Sequence, residues 1–135
     1  MSQPDTLPPA EFDRIKHAIQ DIRLALMTTQ LPDGSLRSRP MLTHEIDPDG
    51  TMWFFTRDDS NKAAHIRQNP SIALGFSDPQ KQTSVSTAGQ AEIVHDQQKI
   101  NELWKDTLLD WFPEGKDSPN LVLLRVTTQT GECWG

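Results

Sequence analysis

The sequence lacks the features that mark several large classes of protein. Its 135 residues include one cysteine, Cys133, which excludes an internal disulfide and leaves no Cys/His spacing typical of zinc. No apolar run approaches the ~20 residues needed to span a membrane. The first ten residues, MSQPDTLPPA, lack the basic and apolar regions of a signal peptide. We therefore expect a cytoplasmic protein with no membrane partner.

Positive charge is also scarce, and so are local catalytic motifs. The formal net charge is -6 and the isoelectric point is about 5.0, so a nucleic-acid partner is not expected and any anion site must be local. The sequence contains no G-x-S-x-G, no P-loop and no G-x-G-x-x-G. Its four histidines lack the spacing of metal ligands, and we predict no metal site.

The hydrophobic pattern instead predicts a mainly β protein with three helices, built as one domain over residues 1–135. Residues 1–9 are polar and rich in proline, which predicts a flexible N-terminal arm. Helices are predicted around 12–22, over 60–68 and over 100–111, where apolar residues recur at helical spacing. Six strands are predicted, at 24–28, 36–46, 51–56, 71–77, 83–94 and 121–126, with a bulge or close backbone approach at Gly89. Antiparallel strands joined mostly by turns favour a small closed or split barrel.

A polar junction follows the strand that ends in Thr56. Ser60 is suited to cap the next helix, whose first backbone N–H groups attract anions. Lys62 lies in the first turn, where a cation is unfavourable against the helix dipole and needs another partner. Two interpretations remain open: an ordinary cap with a solvated lysine, or a phosphate site.

A second basic element lies on the predicted second strand. Arg37, Arg39 and Met41 are two residues apart and project to one face. They could line a mixed site, with guanidinium groups for a phosphate and a thioether against an aromatic ring, or form an exposed, solubilising edge. Pro40 indicates an edge strand or a bulge, because it has no N–H to donate.

The tryptophans late in the chain suggest packing surfaces. Trp104 and Trp111 are predicted to be core or interface anchors. Trp134, the penultimate residue, is difficult to place in a core unless another chain covers it.

Four segments, "RSRPMLTH", "WFFTRDDSNKAAHIRQNP", "VSTAGQAEIV" and "NLVLLRV…ECW", occur in an order that resembles the pyridoxamine 5'-phosphate oxidase-like FMN-binding split barrels, and most of all the general stress protein 26 branch. The resemblance runs from about Ile22 to Trp134. It implies a six-stranded antiparallel split barrel that binds FMN non-covalently, with FAD as a possible alternative. A haem-binding split barrel is a weaker alternative, since no histidine is placed as an axial ligand.

The resemblance also implies a cofactor site. The implied flavin-binding residues are Arg39, Pro40, Met41, Leu42, Phe55, Thr56, Ser60, Asn61, Lys62 and Trp134. In the family, the arginine matching Arg39 contacts the FMN phosphate, and the strand end and helix start around Lys62 complete the phosphate cradle. The tryptophan matching Trp134 approaches the flavin from the second subunit, which implies a homodimer with two sites at its interface.

The sequence departs from the true oxidases at three places. His44 stands where they have a lysine for the substrate phosphate, Ser84 replaces a flavin-contacting glutamine, and their arginine-bearing segment is absent beyond Gly135. We therefore expect a flavin-dependent oxidoreductase with an unknown small electron donor or acceptor, rather than a pyridoxamine 5'-phosphate oxidase. In that case the flavin carries the chemistry and no catalytic acid or base is assigned. The alternative is a non-catalytic flavin-binding or protein-interaction module of the stress response.

Overall fold

The computed structural model describes residues 7–135, which form a strongly curved antiparallel sheet with helices packed around it. The strands are β1 (Leu24–Gln30), β2 (Leu36–Leu42), β3 (Glu45–Ile46), β4 (Thr51–Arg57), β5 (Ser71–Asp78), β6 (Thr83–Val94) and β7 (Leu121–Trp134). The helices are α1 (Pro9–Ile19), α2 (Asn61–Gln68), α3 (Gln97–Leu103) and a short 3-10 helix (Asp106–Asp110). In this part of the chain no helix is long and apolar enough to cross a membrane.

The sheet is curled because two consecutive strands lie at its opposite edges. The strand order is β2-β1-β5-β6-β7-β4-β3, yet only Thr43 and His44 separate β2 from β3. The Thr43 N–H donates to the Arg23 carbonyl on the β1 side, and the His44 N–H donates to the Trp53 carbonyl of β4. Two residues can bridge these edges only if the sheet bends back on itself into a split barrel. The predicted fold class is therefore confirmed.

The strand count differs from the prediction, with seven strands in residues 7–135 rather than six. The predicted strand over 36–46 is two strands, since the chain changes partner at Thr43 and His44. A single continuous strand would pair with one neighbour, whereas β2 pairs with β1 and β3 pairs with β4. Pro40 lies on the edge strand β2, as its missing N–H predicts.

Two apolar clusters lie on the two faces of β4, which explains why this strand is buried almost throughout. Met52 and Phe54 point into the barrel core, which α1 covers with Phe12 and other apolar residues of one helical face. Trp53 and Phe55, two residues apart on the opposite face of the strand, lie in the second cluster, which includes residues of α3 and the 3-10 helix. β4 thus forms a wall between the barrel interior and the segment that follows α3.

The predicted helix over 100–111 is interrupted, and this prediction was wrong. α3 ends at Leu103, and Trp104 and Lys105 have extended backbone with ψ of 137° and 141° before the 3-10 helix begins. The interruption brings the rings of Trp104 and Phe112 to 5.8 and 6.3 Å from the Phe55 ring. Several apolar residues of this segment are buried together as their spacing predicts, but they lie on two short helices rather than one. Both helices contribute to the second cluster, which contains Phe55.

Gly89 occupies the close backbone approach that the sequence predicts. The register between β6 and β7 shifts between Ala88 and Gly89. A Cβ atom at Gly89 would overlap the carbonyl oxygen of Thr127, so a larger residue cannot be accommodated without movement of β7.

The predicted N-terminal arm lies partly outside the described residues, since residues 1–6 are not described. Its last three residues are part of the fold: Leu7 is buried and donates its N–H to the Thr128 carbonyl, and Pro9 begins α1. The arm therefore does not extend to residue 9.

Candidate functional site

A pocket of about 290 Å³ opens between β2 and β4, where the curled sheet remains split. These two strands approach each other, but no backbone ladder joins them in the described part of the chain. We call this the β2–β4 pocket. Its polar lining comes from β2, the end of β4 and the start of α2, and includes Arg39, Thr56, Ser60 and Lys62. Its apolar lining includes Met41, Leu42, Phe55, Leu108, Trp111 and Phe112.

Arg39 carries a guanidinium that is only partly satisfied. Nη1 donates to Thr29 Oγ1 at 2.8 Å, whereas Nη2 is buried and has no hydrogen-bond partner among the described residues. Thr29 Oγ1 lies 3.4 Å from His65 Nδ1 and can donate its proton there when Nδ1 is unprotonated. Thr29 and His65 therefore fix the orientation of Arg39. A buried donor without a partner is costly, so this geometry favours an anionic ligand.

Lys62 brings a second cation to the same part of the pocket. Its Nζ donates to Thr56 Oγ1 at 2.6 Å, which uses one of its three N–H donors. Burial lowers the pKa of Lys62, and the positive charge of Arg39 lowers it further. Burial likewise lowers the pKa of Arg39, with a contribution from Arg37. The fold therefore holds two partly desolvated cations near each other, an arrangement that an anion stabilises.

No carboxylate of residues 7–135 neutralises this pair. Among the described residues neither Arg39 nor Lys62 forms an ion pair, and none of the residues that line the pocket is acidic. Arg57 also lines the pocket, but Asp59 accepts two hydrogen bonds from it at 3.0 and 3.1 Å. In a chain of net charge -6, two unneutralised cations in one pocket indicate a specific anion site.

The start of α2 adds backbone donors to the same region. Ser60 is the N-cap, and its Oγ accepts from the Ala63 N–H at 3.2 Å. The remaining N–H groups of the first turn have no partner within the helix, and the positive end of the helix dipole lies here. Ser60 and Lys62 both line the pocket, so the helix start and the cations face the same space.

The other side of the pocket is aromatic and contains one histidine. The His44 ring packs edge-on against Phe55, with ring centroids 5.0 Å apart. Burial lowers the pKa of His44, and the Leu103 carbonyl opposes this shift only in part. His44 is therefore neutral at neutral pH. Within residues 7–135 no group of three or more His, Cys, Asp or Glu is placed to hold a metal ion.

The structure brings together eight of the ten residues assigned to the site from the sequence. Arg39, Pro40, Met41, Leu42, Phe55, Thr56, Ser60 and Lys62 line the β2–β4 pocket. Asn61, the first residue of α2, is exposed and does not line it. Trp134 is 52% exposed at the end of β7 and does not line the pocket. Arg37, which shares a strand face with Arg39, is exposed and outside the pocket.

Several residues of the site were missed by reasoning from the sequence. Thr29 orients Arg39 from β1, and Leu108, Trp111 and Phe112 form a wall from the 3-10 segment. Trp111, predicted to be a core or interface anchor, is 62% exposed and lines the pocket, so it does not lie in the core. The sequence showed that Trp111 lies two residues before Pro113, where the predicted helix ends. That position alone does not reveal which surface the indole ring faces.

Curated proteins with similar sequences match part of the chain. General stress protein 26 of Bacillus subtilis is 32% identical over 83 residues, which cover 56% of this chain and 56% of that protein. Pyridoxine/pyridoxamine 5'-phosphate oxidase of Actinobacillus pleuropneumoniae is 35% identical over 77 residues, which cover 57% of this chain and 36% of the oxidase. The chain thus matches about half of the first relative and about a third of the second.

Solved structures with the same fold match nearly the whole chain. A protein related to general stress protein 26 from Clostridium acetobutylicum superposes with a TM-score of 0.80 at 21% identity, covering 95% of this chain and 90% of that one. The general stress FMN/FAD binding protein of Xanthomonas citri gives a TM-score of 0.77 at 26% identity, covering 90% and 86%. The sequence model described as pyridoxamine 5'-phosphate oxidase like matches residues 10–135. The chain therefore belongs to the pyridoxamine 5'-phosphate oxidase-like family, and its similarity to general stress protein 26 confirms the resemblance read from the sequence.

Proposed function

We propose that this protein binds FMN non-covalently in the β2–β4 pocket, with the phosphate held by Arg39, Lys62 and the Ser60 start of α2. The observation that carries the proposal is the pair of unneutralised cations, Arg39 and Lys62, one of which has a buried nitrogen without a hydrogen-bond partner. The membership of the family and the similarity to an FMN/FAD binding protein support a flavin as the ligand.

The residues present fit a phosphorylated flavin. Nη2 of Arg39 and the remaining N–H donors of Lys62 supply charged donors, which suit a phosphate dianion. Met41, Leu42 and Phe55 supply apolar surface for a planar ring system. When bound, the flavin would supply hydride and electron transfer. The chain's own part is to bind the phosphate, to orient the ring and to keep water from its buried side.

The oxidoreductase activity proposed here acts on a small, unidentified donor or acceptor. His44 is the titratable group on the aromatic side of the pocket and is neutral at neutral pH, so it supplies no positive charge for a substrate phosphate. This supports our expectation that the protein does not oxidise pyridoxamine 5'-phosphate. We place the activity in the cytoplasm, as the single cysteine indicates.

We further propose a homodimer in which the partner completes the flavin site. A pocket of about 290 Å³ is just below the range for ligand sites, about 300–1,000 Å³, so a flavin would extend beyond it. Trp134 and Ser84 pair across β6 and β7, and both occupy positions that the family resemblance assigns to flavin contacts. Because they do not line the pocket of their own subunit, they would reach the flavin of the partner. Sedimentation analysis with and without FMN tests this part of the proposal.

The deciding experiment is a titration of the purified protein with FMN, FAD and riboflavin, followed by flavin fluorescence. A phosphate cradle predicts that riboflavin binds at least about tenfold more weakly than FMN, since it forfeits charged hydrogen bonds worth about 1.5–3 kcal/mol. Equal affinity for FMN and riboflavin would refute the phosphate assignment. Oxidation of NADPH by the FMN-loaded protein, in the presence of candidate acceptors, separates an oxidoreductase from a non-catalytic flavin binder.

A further inference from the structure

The 3-10 segment forms an ordered wall of the β2–β4 pocket. Leu108 is buried, and its carbonyl accepts from the N–H groups of Trp111 and Phe112 at 3.0 and 2.8 Å. Phe112 packs on Phe55 at 6.3 Å between ring centroids, and Gly115 donates its N–H to the Phe112 carbonyl at 3.0 Å. The backbone that carries Trp111 is therefore fixed on both sides by hydrogen bonds and by packing.

Trp111 differs from its neighbours in this segment. Its side chain lines the pocket, yet the residue is 62% exposed, whereas Leu108 and Phe112 are buried or half-buried. Leu109 lies on the same turn and is 43% exposed, but it does not line the pocket. A large aromatic surface at the border of a pocket is available to pack on whatever the pocket holds.

The pocket has the character of a site for a ring attached to an anion. Arg39 and Lys62 lie on its polar side, and its aromatic surface comes from Phe55, Phe112 and Trp111. None of the described residues that line it is acidic. A ligand whose phosphate contacts Arg39 and Lys62 would place its remaining atoms along this aromatic surface. Among these three aromatic residues, Trp111 has the largest exposed fraction and so has most surface to cover.

We propose that Trp111 is a ligand-binding residue, whose indole packs on the planar ring of a phosphorylated aromatic ligand and adds affinity for the ring rather than for the phosphate. This inference rests on the proposed function, because it takes FMN as the ligand. It assigns to the 3-10 segment a direct role in ligand selection. Ligands with a planar ring gain from the indole, whereas sugar phosphates and inorganic phosphate do not.

The test compares four proteins: the wild type, Trp111→Leu, Trp111→Phe and the matched control Leu109→Ala. Each is titrated with FMN, and the fold of each is checked by circular dichroism. Aromatic packing is worth enough that Trp111→Leu should weaken FMN binding by about three- to tenfold. Trp111→Phe should retain most of the affinity, since it keeps an aromatic ring, and Leu109→Ala should bind as the wild type does.

Two further measurements distinguish this role from others. Inorganic phosphate, used as a competitor of FMN, should have the same inhibition constant in Trp111→Leu as in the wild type, because it lacks a ring. Sedimentation analysis should show the same oligomeric state for both. These results, with the expected loss of FMN affinity, support a ring contact.

Four outcomes would overturn the inference. They are unchanged FMN affinity in Trp111→Leu, an equal loss in Leu109→Ala, an equal loss of phosphate affinity, or a change of oligomeric state that accounts for the weaker binding. Failure of the wild type to bind FMN would instead refute the proposed function and, with it, this inference. The wild-type titration therefore tests the function, and the differences among variants test the role of Trp111.

Discussion

Replacing Lys62 by methionine separates its proposed role in anion binding from a role in stability. Methionine is unbranched, as lysine is, and lacks the ammonium group. If that group binds a phosphate, its loss removes a charged hydrogen bond worth about 1.5–3 kcal/mol. FMN binding should then weaken by about 10- to 150-fold.

The stability of the ligand-free protein should change much less. The lost hydrogen bond from Lys62 Nζ to Thr56 Oγ1, 2.6 Å long, costs about 0.5–1.5 kcal/mol. Against this loss, burial lowers the pKa of Lys62 and Arg39 lowers it further, so the charged side chain is itself unfavourable in the fold. We expect these two effects to offset each other, leaving the free energy of unfolding within about 1 kcal/mol of the wild type.

Thermal unfolding with and without FMN measures both quantities. FMN at about 100 times the wild-type Kd stabilises the fold by about 2.7 kcal/mol, and a variant that binds about 30-fold more weakly keeps about 0.9 kcal/mol. An unfolding entropy of about 2.1 cal/mol/K per residue converts 1 kcal/mol into about 3.5 °C for 135 residues. The Tm should thus rise by about 9 °C in the wild type and by about 3 °C in Lys62→Met.

Lys81→Met is the matched control. It removes the same charge from an exposed turn outside the pocket, where Lys81 pairs with Asp21 at 3.5 Å. Its Tm should rise with FMN as in the wild type. The reasoning is refuted if Lys62→Met keeps the full rise in Tm, or if Lys81→Met loses as much of it. A ligand-free Tm that falls in Lys62→Met by as much as the FMN effect would show that Lys62 is structural.

Three further predictions test the fold and the neutral histidine, each by urea denaturation. Gly89→Ala should destabilise the protein by about 1–3 kcal/mol, because its Cβ would overlap the Thr127 carbonyl; Gly75→Ala, where a Cβ meets no atom within 4 Å, is the control and should lie within about 0.5 kcal/mol. Phe54→Ala, at a side chain that is fully buried, should cost about 3–5 kcal/mol, and a smaller loss would contradict its place in the core. Burial lowers the pKa of His44 below the unfolded value of about 6.5, so the unfolded state binds more protons there and stability should fall as the pH drops below about 6.5. The fall should be smaller in His44→Gln, and an equal fall would show that other groups cause it.

Features that depend on interactions between residues close together in the chain were predictable from the sequence. Ser60 was recognised as a cap because its side chain acts on its own helix, and the structure shows its Oγ bound to the Ala63 N–H. The alternation of a strand placed Arg39 and Met41 on one face, and both line the pocket. Gly89 marked a close approach because a strand interior seldom accepts glycine without one. Each of these predictions depends on neighbours within a few residues.

Features that depend on residues far apart in the chain were not predictable from local patterns. The strand predicted over 36–46 is split at Thr43 and His44 because its two parts pair with strands on opposite edges of the sheet. The predicted helix over 100–111 breaks after Leu103, where the backbone becomes extended. With this break, the rings of Trp104 and Phe112 both pack against the Phe55 ring. Helical periodicity reports which residues are apolar, but it does not report the shape of the surface against which they pack.

The candidate site likewise combines features that nearby residues determine with features that distant residues determine. The basic residues of β2 and the serine and lysine at the start of α2 can be identified from the sequence alone, and they already indicate a local anion site. Only the curled sheet brings Arg39, which Thr29 orients, next to Lys62, and only the interrupted segment places Trp111 at the same pocket. The physical reason is the separation of the interacting residues along the chain. Helix caps and strand alternation involve residues a few positions apart, whereas the binding pocket is formed by residues from distant segments.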